Sequence, residues 1–94
     1  MGKTELLRAI FDRGSMPESE PGDESIDRVL STLSSTERFV IEQYFLRNVS
    51  LAEIARTYRR YDGRVGVARQ MIWKIKERGL QKLEHPARIK ILLG

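Results

Sequence analysis

Two stretches with helical spacing, Ser50 to Tyr58 and Val67 to Leu83, stand on either side of a glycine-containing turn, and this arrangement narrows the fold more than any other feature. The first opens with a capping box: Ser50 is placed to accept from the backbone of Glu53, and Glu53 to reach back to Ser50. The second keeps Val67, Ile72, Ile75, Leu80 and Leu83 on one side, and Arg69, Gln70, Trp73, Lys74 and Glu77 on the other. A short helix before a longer one with an apolar face and a mostly cationic face is the pattern of a helix-turn-helix unit.

Charge follows the same division. Residues 1–46 hold 5 Lys/Arg and 9 Asp/Glu, and residues 47–94 hold 12 and 4, so an acidic half precedes a strongly basic one. A basic half that coincides with a helix-turn-helix pattern suits a nucleic-acid footprint; basic charge by itself would equally suit a solvated helical surface. The chain has no cysteine, so neither a disulfide framework nor a thiolate metal site is expected. No apolar run approaches bilayer length and the N-terminus lacks a signal-peptide layout, which fits a cytoplasmic setting. His85, the one histidine, precedes Pro86 in an interhelix turn, where capping or packing is the natural role. Without a second histidine, paired carboxylates in an apolar setting or a phosphate-cradling loop, no catalytic residue, metal site or cofactor is expected.

The remaining segments read as more helix. Thr4 to Arg13 forms a short amphipathic helix with Leu6, Leu7, Ile10 and Phe11 as its stripe, which either folds back on the domain or seats in a partner's groove. Residues 14–24, with two prolines, two glycines and four acids, read as an acidic linker. Residues 25–94 follow as the folded domain. Within it, Ser25 to Leu33 is helical, Ser34 and Glu37 form a second capping box, and the next helix runs to about Arg47. Pro86 starts a last helix, with Ile89, Leu92 and Leu93 as its apolar side. That helix completes the core, docks a partner or forms a dimer seam. The expected fold is all-α: a small helical domain containing a helix-turn-helix with a lengthened turn, preceded by a short helix and a linker.

Leu33-Ser-Ser-Thr-Glu37 leading to Val40, Ile41 and Phe45, then Ser50-Leu-Ala-Glu-Ile54, then Val67, Arg69, Ile72 and Ile75, then Leu80, Lys82, Leu83, His85, Pro86 and Arg88, together resemble region 4 of sigma-70-family transcription factors. The resemblance covers roughly Asp27 to Arg88, and the closing run is its most specific part. It implies a domain that binds the promoter −35 element as double-stranded DNA and the flap of the bacterial RNA polymerase β subunit. It also admits an anti-sigma or co-sigma partner, and no membrane. By position it places base reading on Arg69, Gln70, Trp73 and Lys74, and phosphate contact on Ser50 and Arg78. Arg56, Arg59, Arg60 and Arg64 add nonspecific attraction to phosphate.

Two departures from the family bear on function. The turn is longer: residues 59–66 separate Tyr58 from Val67, with Asp62-Gly63 as a turn signal. This loop is either a tolerated surface insertion or a cationic element reaching DNA phosphate or the polymerase. The reading face also differs. Arg69 agrees with the family, but Gln70 stands for glutamate, Trp73 for arginine and Lys74 for glutamine, so the −35 consensus is not carried over. The family's promoter-melting region 2 is absent from these 94 residues. The chain therefore reads as a fragment of a longer sigma factor or as a free-standing, phage-like region 4 protein. Two further functions stay open: a polymerase-binding adaptor that does not read bases, and a dimeric helix-turn-helix repressor.

Overall fold

The computed structural model describes residues 2–11 and 21–93. These form six helices: α1 Gly2–Ile10, α2 Asp23–Leu30, α3 Ser35–Ile41, α4 Leu51–Thr57, α5 Arg69–Leu83 and α6 Pro86–Leu93. A π-helical turn, Glu42–Leu46, extends α3. No strand occurs among the described residues, so the all-α expectation holds. Asp12 and Arg13 of the expected first helix and residues 14–20 of the expected linker lie outside them. Asp23 and Glu24, read as linker, instead form the acidic first turn of α2, where their charge complements the helix dipole.

α5 runs through two apolar clusters and joins them. Its first half contributes Ile72 and Ile75 to a cluster with Val40 of α3 and Ile54 and Ala55 of α4. Its second half contributes Leu80 and Leu83 to a larger cluster fed by α1, α2, Phe45 and Leu92 of α6. Tyr44 touches both clusters, with its ring edge-on to Phe45 and the Lys76 ammonium 5.0 Å from its centre. α1 therefore folds back, the first of its two readings. α6 completes the core through Leu92 and half-buried Ile89, while Leu93 faces solvent.

The Ser34 capping box forms in full. Ser34 Oγ accepts from Glu37 N at 3.2 Å, and Ser34 N donates to Glu37 Oε1 at 3.1 Å. The same Glu37 oxygen accepts from Lys82 Nζ at 2.9 Å, although Glu37 is only 3% exposed. Burial alone would push the Glu37 carboxyl up, but the bonds from Lys82 and Ser34 outweigh it and hold it below the usual carboxylate range. A carboxyl with a depressed folded-state pKa stabilises the fold above its unfolded value, and that contribution is lost as pH falls through the folded one. Glu37→Gln should therefore lower the denaturant midpoint at neutral pH, and the gap from the parent should close as the solution is acidified.

The rest of the closing run is also structural. His85 Nδ1 accepts from Ala87 N at 3.1 Å and so caps α6, with Pro86 at the first helical position. Arg88 Nε donates to Thr32 Oγ1 at 2.8 Å, tying α6 to the end of α2.

Residues 59–66 fold into a minimal hairpin. Arg59 and Val65 form an isolated antiparallel bridge, flanked by Arg60 N to Arg64 O at 2.8 Å and Gly66 N to Tyr58 O at 2.7 Å. Gly63 N donates to Arg60 O at 3.0 Å and closes the tip, with Gly63 at φ +88° as a three-residue loop needs. Asp62 Oδ1 accepts from Arg64 N at 3.0 Å inside this turn. Gly66 has φ +102°, and Val67 N then bonds Ala55 O at 2.9 Å rather than starting a helix. α5 accordingly begins at Arg69, two residues later than its apolar pattern predicts. A Cβ at Gly66 would meet only ordinary contacts, 3.6 Å to Arg56 O, so its cost is conformational. Gly66→Ala should lower stability by about 1–2 kcal/mol in a denaturant melt.

Candidate nucleic-acid interface

α5 presents the face expected of it. Ile72, Ile75, Leu80 and Leu83 are buried, whereas Arg69, Gln70, Trp73, Lys74 and Arg78 are exposed. The split follows from helical spacing, because residues three and four apart share a side. Val67, counted with the apolar side, is half-buried ahead of the helix and packs against the α4 cluster. Glu77, the one acid on the outward side, is half-buried beside Lys76, with 3.2 Å between Nζ and Oε2. The first turn of α5 has no acidic residue, and Ala68 supplies no side-chain cap. The positive end of the helix dipole and the Arg69 guanidinium thus point the same electrostatic way.

The ten residues singled out in the sequence do not form one patch. Arg69, Gln70 and Trp73 line a single concavity with Leu51, at the start of α4. Ser50, the N-cap of α4, adjoins it in sequence, and Lys74 lies one turn from Gln70. Trp73, 47% exposed, is therefore on the α4 flank of α5 and not packed under the lengthened turn. Met71 and Arg78, a heptad apart, share the opposite flank.

Arg59 and Arg60 border other concavities, with Phe39 and Tyr58 and with Tyr61 and Met71 respectively. Arg64 is exposed on the returning arm of the hairpin. Arg56 is held in a pair with Glu53, Nη2 to Oε1 at 2.5 Å, which raises its pKa. That pair corrects the expectation of a full capping box at Ser50. Ser50 Oγ accepts from Glu53 N at 3.1 Å, but the Glu53 carboxylate goes to Arg56.

Phe39, Tyr61 and Met71 were not singled out as site residues, and all three are exposed large side chains. A partial signal existed for Phe39. Three consecutive apolar residues, Phe39, Val40 and Ile41, cannot all face one side of a helix, and Val40 and Ile41 are the ones buried.

The family description for sigma-70, region 4, matches residues 29–85, more than half of the chain. The chain belongs to the sigma-70 region 4 family. It is accordingly a DNA-binding helix-turn-helix domain of sigma-type transcription regulation. Comparison with curated proteins found no match, and neither did comparison with solved structures. The region 4 match starts within α2 and ends at His85, so α1 and α6 lie outside it although both enter its core. The hairpin falls inside the match and leaves α4 and α5 packed together. Among the described residues no helix is long and apolar enough to cross a membrane, and no cluster of potential metal ligands occurs.

Proposed function

We propose that this region 4 domain joins RNA polymerase to promoter DNA by laying the outward face of α5 in the major groove of a −35-like element. The observation that carries this reading is the exposure of Arg69, Gln70, Trp73 and Lys74 on a helix whose other side is fully packed. Arg69 takes guanine through O6 and N7, Gln70 takes adenine, and Lys74 takes guanine or phosphate. Trp73, beside Leu51, offers an apolar surface to a thymine methyl. Ser50 and Arg78 contact phosphate on either side. Arg56, Arg59, Arg60 and Arg64 supply salt-sensitive attraction. The target differs from the family's at the bases met by residues 70, 73 and 74. A concavity of about 280 Å³ where α1, α2 and the π-helical turn meet, lined by Ile26, Leu30 and Leu46 together with Lys3, Asp23, Asp27 and Glu42, supports a polymerase contact on elements other than α5.

The test pairs a random-DNA selection across a salt series with binding to the isolated polymerase flap. An enriched sequence together with flap binding is expected. Flap binding with only sequence-blind, salt-sensitive DNA binding would instead identify an adaptor, the reading that the substitution at Trp73 favours. An inverted repeat without flap binding would identify a dimeric repressor.

A further inference from the structure

The hairpin builds one wall of a furrow on the Met71 flank of α5, away from the Arg69–Trp73 flank. Two concavities, of about 260 and 460 Å³, abut there and share Thr36 and Tyr58. Their floor and walls include Phe39, Tyr58, Tyr61 and Met71, and their rim carries Arg59 and Arg60. Phe39 meets Tyr58 edge-on, with ring centres 6.2 Å apart, which fixes both rings while leaving Phe39 42% exposed. Met71 is 46% exposed, and Tyr61 at the hairpin tip has its whole surface in solvent.

No acid and no lysine lines either concavity. Aromatic residues, methionine and arginine without lysine or acids are the composition of a protein-docking surface. The charge balance indicates which protein. Arg59 has no ion-pair partner among the described residues, and Arg60 reaches only Asp62, at 3.6 Å, as an exposed pair worth little. Arg60 and Arg64 also stand opposite each other across the hairpin, where like charges repel until an anion joins them. Duplex DNA would satisfy the arginines and leave the apolar Phe39 and Met71 uncovered; a peptide with acids around a bulky side chain would satisfy both.

We propose that this furrow docks an acidic peptide segment of a protein partner, with one large apolar residue seated between Phe39, Tyr58 and Met71 and its carboxylates on Arg59 and Arg60. A partner held there withdraws Arg59 and Arg60 from their nonspecific attraction to phosphate but leaves Arg69, Gln70 and Trp73 open, so it sits beside the base-reading face and does not replace bound DNA. The site goes beyond the promoter-binding reading and does not depend on it.

The probe is a phage-displayed random dodecapeptide library selected on the purified full chain. Enriched peptides should combine Asp or Glu with Leu, Phe or Trp. Tyr61→Ser and Met71→Ser, both at exposed positions, should each weaken the selected peptides about tenfold or more, with thermal melts and DNA selection unchanged. Joint Arg59→Glu and Arg60→Glu replacement should shift the enriched peptides from acidic to basic. Failure to enrich any peptide, enrichment without acids, or binding indifferent to the Tyr61 and Met71 variants would overturn the site. So would loss of duplex affinity on Tyr61→Ser, which would assign the hairpin to the nucleic-acid face.

Discussion

Leu7→Ala is expected to destabilise the fold by about 2–5 kcal/mol, although Leu7 lies well outside the region shared with the family. Leu7 is fully buried, and Leu6, Ile10 and Phe11 join it in the cluster that holds Val29, Leu30, Phe45 and Leu83. A nine-residue helix is marginal in water, so α1 exists because it docks. The docking is close. A Cβ on Gly2 would lie 2.1 Å from the carbonyl oxygen of Phe45, inside backbone that cannot yield as a flexible side chain does. The surface that receives α1 is the π-helical turn, where Arg47 N reaches back five residues to Glu42 O at 3.0 Å. Asn48, at φ +58°, then reverses the chain, a conformation asparagine tolerates better than most residues. Chemical denaturation of the Leu7 variant measures the effect. A loss below about 0.5 kcal/mol, as expected of an unpacked surface position, would mean that α1 is detachable and free for a partner's groove.

Arg69→Ala is expected to cost about 1–3 kcal/mol of binding to the selected DNA and to relax the preference at one base pair. Arg69 begins α5, shares its concavity with Gln70 and Trp73, and has no carboxylate partner among the described residues. Its fork is therefore available for a guanine edge. Lys74→Ala should also weaken binding. If Lys74 takes phosphate, that loss will be uniform across sequences and the salt dependence will shallow by about one counterion. Gln70→Glu, which restores the acid that the family carries, should move the preferred base from adenine toward cytosine, because a carboxylate accepts from the cytosine amino group. Affinities measured at one fixed salt concentration on the selected site and its single-base variants separate these outcomes. An equal loss on every sequence for Arg69→Ala would reduce that residue to a phosphate contact.

Much of the helical framework was legible because its signals are local. Ser34 and Glu37 stand at capping-box spacing, and the aliphatic residues of α5 recur with helical period. His85 before Pro86 announced a helix start, and its ring caps that helix. What was not legible depended on choices made at a distance. Glu53 has the spacing to reach Ser50 but bonds Arg56. Asp62-Gly63 marked a turn, yet only the pairing of Arg59 with Val65 makes it a hairpin, and that pairing leaves no periodic trace. The start of α5 moved because the Val67 N–H bonds Ala55 across the turn. The stripe of α1 is the same whether it meets its own domain or another protein, so the pattern admitted both readings. Of the candidate site, the face of α5 followed from spacing alone. The division of the arginines between that face and the furrow arose only from the hairpin's geometry.

The most direct test of the central claim is photocrosslinking to a selected duplex from single positions of the full chain. A photoreactive residue in place of Gln70 or Lys74 should attach to bases in the major groove, and one in place of Lys90 on α6 should not. Attachment from position 90 with none from 70 or 74 would contradict the account, since α5 would then not be the element that enters the groove.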